Sequence, residues 1–383
     1  MVVEVRAGAL MRAVARAHHV SLSTVQWWCR RAGARPVDRV DWSDRSPIPG
    51  TVQRTESVVE DLVLVLRREL KETSDLGEYG ARALHRELVA RGQALVPSVR
   101  TIGRILERRG SLDAGRRIRR PPPRQGWYLP EVAARRAELD SFDIVEGLTL
   151  EGGVRLEVLN VISLHGGLPG SWPQVLVTAK TAVEALGAHW REFGRPAYAQ
   201  FDNDTIFQGG HRGQDVLGRV VRTCLRLDVI PVFAPPQESG FQAAIENVNG
   251  RWQAKVWARF YHDSLAALQE RSRRYVGAYR QRAAARIDAA PPRRPFPASW
   301  QPDLQARPEG VVIFLRRTSA TGTVSLLGRT FEADALWPHR LVRCEVDLSA
   351  ETIRFYALRR REPNHQPLLR DTPYVFPRKA FHE

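Results

Sequence analysis

The spacing of hydrophobic positions changes twice along the chain and divides it into three regions. Up to about residue 110, apolar residues recur every three or four positions, which predicts helices. Between residues 128 and 300, β-branched and aromatic runs alternate with helical stretches, which predicts a mixed α/β core. Over residues 305–362, short strand-like runs are separated by turn signals, which predicts a small β-barrel. The predicted fold class is therefore multidomain α/β.

The helical region is predicted to form two helix-turn-helix units, at residues 1–40 and 51–110. In the first, Ser21 or Ser23 is a candidate N-cap for a helix that ends near Arg30 and Arg31. In the second, Pro97 and Ser98 open a helix whose exposed positions are mostly basic. The basic candidates on that helix are Arg100, Arg104 and Arg108. Recognition helices place such arginines in the DNA major groove, although an ordinary basic bundle explains either unit alone equally well.

Residues 111–127 change composition and predict a basic, proline-rich linker. Its arginines suit contact with a phosphate backbone, and a merely solvated charged linker is the alternative. The arginines proposed for DNA contact are Arg116, Arg117, Arg119 and Arg120.

Within the central region, strands and helices alternate. The predicted strands cover residues 139–146, 155–164, 174–178, 197–202 and 229–233, and the predicted helices cover 181–193, 216–227, 240–260 and 264–287. The predicted barrel strands cover 311–316, 323–326, 329–331, 341–347 and 352–358. Residues 363–383 are proline-rich and predict an extended or disordered tail.

Three carboxylates carry the candidate chemistry. Asp143 and Asp202 lie at strand positions, and Glu246 lies on a predicted helix, so two strands and a helix can converge on one point. Carboxylates can hold two divalent ions that activate the attacking and leaving oxygens of a phosphodiester, and hard oxygen ligands select Mg²⁺ or Mn²⁺. The three cysteines are scattered and show no zinc-finger spacing.

Neighbouring acids compete for these roles. Asp140 and Asp143 are three apart and should face opposite sides of a strand, so only one can join the site. Asp204 is two residues from Asp202 and can share its face, so periodicity does not choose between them. Glu238 competes with Glu246 but precedes a glycine in a predicted loop.

The net charge of the chain indicates what kind of partner it binds. Lys and Arg number 58 against 42 Asp and Glu in 383 residues, a net charge of +16, which favours nucleic acid. No run of eighteen apolar residues and no signal-peptide pattern is present, so membrane insertion and secretion are disfavoured and a cytoplasmic location is expected.

The motifs around the three carboxylates resemble the DDE catalytic core of retroviral-type integrases and related bacterial insertion-sequence transposases, including the Mu-like group. The third motif is the most specific, with Pro236, Gln237 and Gly240 before Glu246, and Asn249 three residues after it. The second motif matches at Asp202 and Asn203, but Asp204 stands where the family usually has glycine. The 58 residues between Asp143 and Asp202 fit the family, whereas the 43 between Asp202 and Glu246 imply an insertion near residues 208–214.

The resemblance implies a ribonuclease-H-like core and a transposase or integrase that binds element ends and performs metal-dependent strand cleavage and transfer. Asp143, Asp202 and Glu246 would hold two Mg²⁺ or Mn²⁺ ions, and Asn249 and Lys255 are expected to contact DNA. Expected partners are double-stranded DNA, further copies of the chain assembled on it, and an accessory ATPase, with association with the bacterial nucleoid. The alternatives are a transposase-derived DNA-binding protein without cleavage activity and, third, a nuclease of the ribonuclease-H type.

Overall fold

The computed structural model describes residues 1–43, 54–113, 129–210, 213–238, 240–359, 362, 364–378 and 380–381. The chain separates into two compact units, Met1–Ser57 and Val58–Glu383. The predicted linker arginines Arg116, Arg117, Arg119 and Arg120 lie outside the described residues, so their contact with DNA stays a prediction.

The first unit is helical. Its helices are α1 (Val2–Arg6), α2 (Met11–Ala17) and α3 (Leu22–Ala32), followed by a 3₁₀ turn at Val37–Arg39. Ser21 caps α3, as expected, because its hydroxyl accepts a hydrogen bond from the Thr24 amide at 3.1 Å. Val14, Ala15 and Val25 form a small buried cluster. The order helix, short turn, helix agrees with the sequence, and DNA binding by this unit stays a prediction.

The second unit begins with three helices that share a core. They are α4 (Ser57–Thr73), α5 (Ala81–Ala90) and α6 (Val99–Arg108). Ser98 caps α6, since its hydroxyl accepts from the Thr101 amide at 3.2 Å. Leu66, Leu84 and Ile102 are fully buried between the helices. The apolar positions at helical spacing therefore build a hydrophobic core and leave Arg100 and Arg104 exposed.

A short helix, α7 (Pro130–Ala133), precedes a nine-stranded mixed sheet. Its first five strands are β1 (Leu139–Thr149), β2 (Arg155–Ser163), β3 (Pro169–Gln174), β4 (Tyr198–Phe201) and β5 (Ile230–Phe233). Their order across the sheet is β3-β2-β1-β4-β5, with β1, β2 and β3 antiparallel and β4 and β5 parallel to β1. The strand predicted at residues 174–178 is wrong, because the short turn after β2 fixes the register and strand pairing starts at Pro169.

Helices cover both faces of this sheet. They are α8 (Ala179–Phe193), α9 (Thr205–Gln208), α10 (Arg219–Arg226), α11 (Ala243–Trp252) and α12 (Leu265–Asp288). The single helix predicted over residues 240–260 is instead α11 followed by a π-helical turn at Gln253–Trp257. Phe142, Trp190 and Phe201 are fully buried on the α8 face. Trp252 is buried on the α11 face with Val145.

The C-terminal strands extend the central sheet, so the prediction of a separate β-barrel is wrong. The strands are β6 (Val311–Arg317), β7 (Thr323–Leu326), β8 (Arg329–Glu332), β9 (Leu341–Asp347), β10 (Thr352–Ala357) and β11 (Leu368–Pro373). β6 pairs in parallel with β5, and the sheet continues through β9, β10 and β11, while β7 and β8 form a separate two-stranded sheet. β6 pairs along the edge of β5, which would otherwise be unpaired. On one face of these two strands, the Phe233 and Phe314 rings stack 5.2 Å apart.

Of the two forms predicted for residues 363–383, extended or disordered, most of the described residues take the extended one. β11 pairs antiparallel with β10, and the Tyr374 and Phe376 side chains are buried in the main core. The proline content that suggested disorder is compatible with β11 because this strand lies at the sheet edge, where a missing N–H costs little.

Candidate functional site

Asp143 lies in the middle of β1, directly opposite Asn160 of β2. Its neighbour Phe142 is fully buried in the core on the α8 face. Because strand side chains alternate, Asp143 faces the other side, where α11 packs on β1 and β2. This alternation is what brings a helix-borne residue within reach of the Asp143 carboxylate.

Asp202 follows the last residue of β4, and hydrogen bonds around it fix the turn. The Asp202 carboxylate accepts from the Asp204 backbone amide at 3.1 Å. The Asp204 carboxylate caps α9 by accepting from the Ile206 amide at 2.7 Å. Asn203 donates to the Ala234 carbonyl at 2.6 Å, which ties the end of β4 to the end of β5. In this structure Asp204 therefore serves as a helix cap and orders the turn that carries Asp202.

Glu246 lies in the first turn of α11 and is exposed. One turn later, the Asn249 side-chain amide donates to Asp143 Oδ2 at 2.7 Å. The Asn249 side-chain oxygen accepts from the Asn160 amide at 2.8 Å. Asn249 thus connects α11 to both β1 and β2. This connection places Glu246 on the same side of the sheet as Asp143.

The three predicted carboxylates interact electrostatically. Burial raises the pKa of Asp143 to about 6, and the negative charges of Asp202 and then Glu246 add to this effect against hydrogen bonds that lower it. Burial also raises the pKa of Asp202, the Asp204 amide opposes that shift, and the charges of Asp204 and Glu146 add to it. The negative charges of Asp202 and Glu246 therefore both act on Asp143.

Glu146 is a further acid of the site that the sequence motifs do not include, and its charge contributes to the raised pKa of Asp202. It lies on β1 three residues after Asp143, and strict alternation would turn it away from the site. The pairing of β1 with β2 shifts register between Val145 and Leu148, and Gly147 adopts a φ of 75° there. A glycine just after an acidic residue inside a strand was the available signal for this bulge.

The donor chemistry of the site suits a hard cation, but the spacing is not that of a closed metal site. Carboxylate oxygens with raised pKa values gain from a nearby positive charge. Across the described ranges, however, no group of three or more His, Cys, Asp and Glu is spaced to hold a metal ion. Asp143 Oδ2 instead accepts the Asn249 hydrogen bond described above.

The two rival acids are engaged elsewhere. Asp140 is fully buried on the opposite side of β1, where its carboxylate accepts hydrogen bonds from Arg293 at 2.9 and 2.6 Å and from the Trp190 indole at 3.0 Å. Burial by itself would raise the pKa of Asp140, but the Arg293 charge and hydrogen bonds hold it below its usual value. Glu238 forms an ion pair with Arg317 at the end of β6. Both acids are thus committed to structural contacts.

The residues predicted to bind DNA differ in how available their side chains are. Arg30, Arg100 and Arg104 are exposed. Arg31 is engaged, since its guanidinium lies 5.2 Å from the Trp27 and Trp28 ring centroids and donates to the Ser43 carbonyl at 2.6 Å.

Three other predicted DNA contacts are used inside the second unit. Arg108 forms an ion pair with Glu60. Lys255 donates to the Gly77 carbonyl at 3.1 Å, in the segment between α4 and α5. Asn249, expected to contact DNA, is instead buried and bridges Asp143 and Asn160. The structure therefore gives Asn249 a positioning contact, because its amide groups satisfy polar atoms in the interior.

Among the described residues, no helix has the length and apolar character needed to span a membrane.

Comparisons with known proteins identify no family. No family model matches the chain, and no curated protein matches it. A chain of the simian T-cell lymphotropic virus intasome in complex with PP2A regulatory subunit B56 gamma is similar at 13% identity and a TM-score of 0.31, over 72% of this chain and 88% of that chain. The catalytic core domain of BIV integrase is similar at 14% identity and a TM-score of 0.24, over 34% of this chain and 77% of that one. At these TM-scores neither similarity decides the fold or the function.

Proposed function

We propose that this protein is a DNA strand transferase that cleaves DNA ends and joins them to a target. The observation that carries the proposal is the partly buried Asp143 carboxylate, whose pKa is raised to about 6 by burial first and then by the charges of Asp202 and Glu246. Two strands and a helix that are distant in sequence supply these acids. A core that served only as a scaffold would have no need for this repulsion.

Each element supports the assignment differently. Strands and helices alternate along the core, as the ribonuclease-H-like fold implied by the motifs requires, and the strands form a mixed sheet in the order β3-β2-β1-β4-β5. The Asn203 contact with Ala234 and the Asp204 cap hold the turn that presents Asp202. Asn249 fixes the separation between α11 and β1 by its hydrogen bond to Asp143. These contacts would orient the three carboxylates before DNA arrives.

Asp143, Asp202 and Glu246 would hold Mg²⁺ or Mn²⁺, which when bound neutralises charge on the phosphate and activates the attacking oxygen. Exposed Glu246 can reorient toward the other two acids more easily than the half-buried Asp143 and Asp202 can. The net charge of +16 and the exposed arginines of α3 and α6 suit binding to double-stranded DNA. Assembly of several copies on DNA belongs to the same proposal, whereas an accessory ATPase and the nucleoid location stay predictions from the sequence.

A strand-transfer assay tests the proposal. Purified protein is incubated with a labelled duplex carrying the terminal sequence that flanks its gene, a target plasmid, and Mg²⁺ or Mn²⁺. We expect joined products from wild type and from Glu238→Gln, and none from Asp202→Asn or Glu246→Gln. Glu238→Gln is the matched control, because it neutralises an acid of the same loop and helix region that is paired with Arg317. Equal activity of wild type and Glu246→Gln would refute the assignment.

A second candidate is a DNA-binding protein that does not cut. It is favoured by the finding that no described set of three potential ligands is spaced to hold a metal ion. In the same assay, this function predicts a gel shift of the flanking duplex with no cleavage in either metal.

A further inference from the structure

We propose that Arg316 binds a DNA backbone phosphate at the sheet edge where Asp202 lies, an inference that rests on the proposed function. Arg316 is the sixth residue of β6, a strand that lies beyond the five-stranded part of the sheet. Neither the carboxylate motifs nor the predicted DNA-binding helices include it.

The position of Arg316 follows from the strand registers. Phe201 of β4 lies beside Phe233 of β5, which lies beside Phe314 of β6. The three parallel strands therefore end at one edge of the sheet. Asp202 follows Phe201 at this edge, and Arg316 lies two residues beyond Phe314. Because neighbouring strands are about 4.8 Å apart, β6 lies roughly 10 Å from β4.

Hydrogen bonds connect the same positions. The Ala234 carbonyl, at the end of β5, accepts from the Asn203 side chain at 2.6 Å and from the Arg316 guanidinium at 3.5 Å. Arg316 therefore shares a carbonyl with the residue that follows Asp202. Phosphates along one DNA strand advance by about 3.4 Å per nucleotide along the helix axis. A DNA strand that has one phosphate near Asp202 can therefore have another within reach of Arg316.

The charge of Arg316 is not neutralised by the protein. The guanidinium is half-buried, lies 5.0 Å from the Phe314 ring centroid and donates to the Leu315 carbonyl at 2.9 Å. In the described part of the chain, no Asp or Glu forms an ion pair with it. Burial lowers the pKa of Arg316 to about 10. An anion would relieve this cost, and guanidinium groups match phosphate oxygens in a bidentate geometry.

Two arginines near Arg316 do have acidic partners. Arg317 pairs with Glu238, and Arg343, which is buried on β9, pairs with Glu345. Arg316 lies between these pairs yet contacts only carbonyl oxygens and a ring.

The salt dependence of DNA binding tests the inference. Affinity for a duplex ending in the sequence that flanks the gene is measured over a range of salt concentrations for wild type, Arg316→Gln and Arg307→Gln. Arg307 is the matched control, because it carries the same charge, is paired with Glu351 and precedes β6 at the opposite sheet edge. Each phosphate contact contributes about 0.9 to the slope of log affinity against log salt. We expect Arg316→Gln to lose about 0.9 from the slope and Arg307→Gln to keep the wild-type slope.

A second variant covers the case in which Arg316→Gln fails to fold. Arg316→Lys keeps the charge and loses the planar fork, so we expect the wild-type slope with cleavage reduced roughly tenfold, the loss of about one charged hydrogen bond. An unchanged slope for a folded Arg316→Gln, or wild-type cleavage by Arg316→Lys, would overturn the inference. Wild-type cleavage together with an unchanged slope would refute only the role of Arg316. A reduced slope in a protein that never cleaves would instead refute the proposed function and leave the phosphate contact standing.

Discussion

Asn249 joins the helix that carries Glu246 to the strand that carries Asp143, through a hydrogen bond of 2.7 Å from its amide to Asp143 Oδ2. The same side chain accepts a hydrogen bond from Asn160, the residue opposite Asp143 on β2. The separation of the helix-borne and strand-borne carboxylates is thus set by a buried amide. Such a bridge is sensitive to substitution, because its partners are left unsatisfied when it is removed.

Replacing Asn249 with alanine should therefore affect both stability and chemistry. We expect Asn249→Ala to lower the free energy of unfolding by about 1–3 kcal/mol, measured by urea denaturation. We also expect strand cleavage to fall by roughly a hundredfold, since misplacing reacting groups by an ångström has effects of that order. Asn247→Ala is the control, because Asn247 is exposed on the same helix. Cleavage by folded Asn249→Ala at the wild-type rate would contradict a positioning role.

Asp143→Asn should stabilise the metal-free protein at neutral pH. The folded protein holds the pKa of Asp143 at about 6, above its usual 3.8, so the native state binds a proton that the unfolded state has already lost. Wild-type stability consequently falls as pH rises from about 4 to about 6, and the loss persists above pH 6. We expect Asp143→Asn to be more stable by about 1–3 kcal/mol at pH 8 and equal to wild type near pH 4.

Metal should reverse that difference. Thermal unfolding at pH 8 with added Mg²⁺ should raise the melting temperature of wild type and leave that of Asp143→Asn almost unchanged, because only the wild-type carboxylate gains from the cation. Equal pH dependence of the two proteins without metal would show that Asp143 is not buried among like charges.

Asp140 should make the stability of the protein depend on pH in the opposite direction, because its carboxylate is paired with Arg293. Arg293→Ala leaves the buried Asp140 charge without its ion-pair partner, so we expect a loss of about 3–5 kcal/mol at pH 7. The arginine holds the pKa of Asp140 below its usual value, so this stabilisation is present above about pH 4 and is lost as pH falls further. Arg226→Ala, an exposed change on α10, should alter stability by less than about 0.5 kcal/mol. A pH-independent effect of Arg293→Ala would contradict the pairing.

The local pattern of the sequence is sufficient to predict the approximate bounds of most single helices and strands. β7 and β9 begin and end where the alternation of apolar residues predicts, and Ser21 and Ser98 cap the helices expected of them. The opposite facing of Asp140 and Asp143 follows from strand geometry alone. These features depend on neighbours within a few residues, which is the range that periodicity can report.

Features that depend on distant pairing were not predictable from the pattern. Strands at the C-terminus carry the same alternation whether they close a barrel or extend the sheet beyond β5, so β6 was assigned to the wrong architecture. The bridging role of Asn249 depends on Asn160, which is 89 residues away. The orientation of Glu146 depends on a bulge in β1, which is visible only as a register shift in the pairing of β1 with β2. Each needs a tertiary contact that a single sequence does not display.

The exposed arginines of α6 should contribute to DNA binding, whereas the paired one should not. Arg100 and Arg104 form no ion pair within the described ranges, and Arg108 is held by Glu60. Each of Arg100→Ala and Arg104→Ala should reduce the slope of log affinity against log salt by about 0.9. Arg108→Ala should leave this slope unchanged and lower stability, because Glu60 is buried. Equal slopes for all three variants in fluorescence anisotropy would argue against this face of α6.

The end of the chain should behave as part of the core. Phe376 is 3% exposed and packs in the main hydrophobic cluster, whereas its neighbour Val375 is 62% exposed. Phe376→Ala should therefore destabilise the protein by about 3–5 kcal/mol, and Val375→Ala should change stability by less than about 0.5 kcal/mol. Chemical denaturation of the full-length variants measures both. Equal, small effects would mean that these residues form a loose tail, and the edge of β10 would then be open to pairing with another chain.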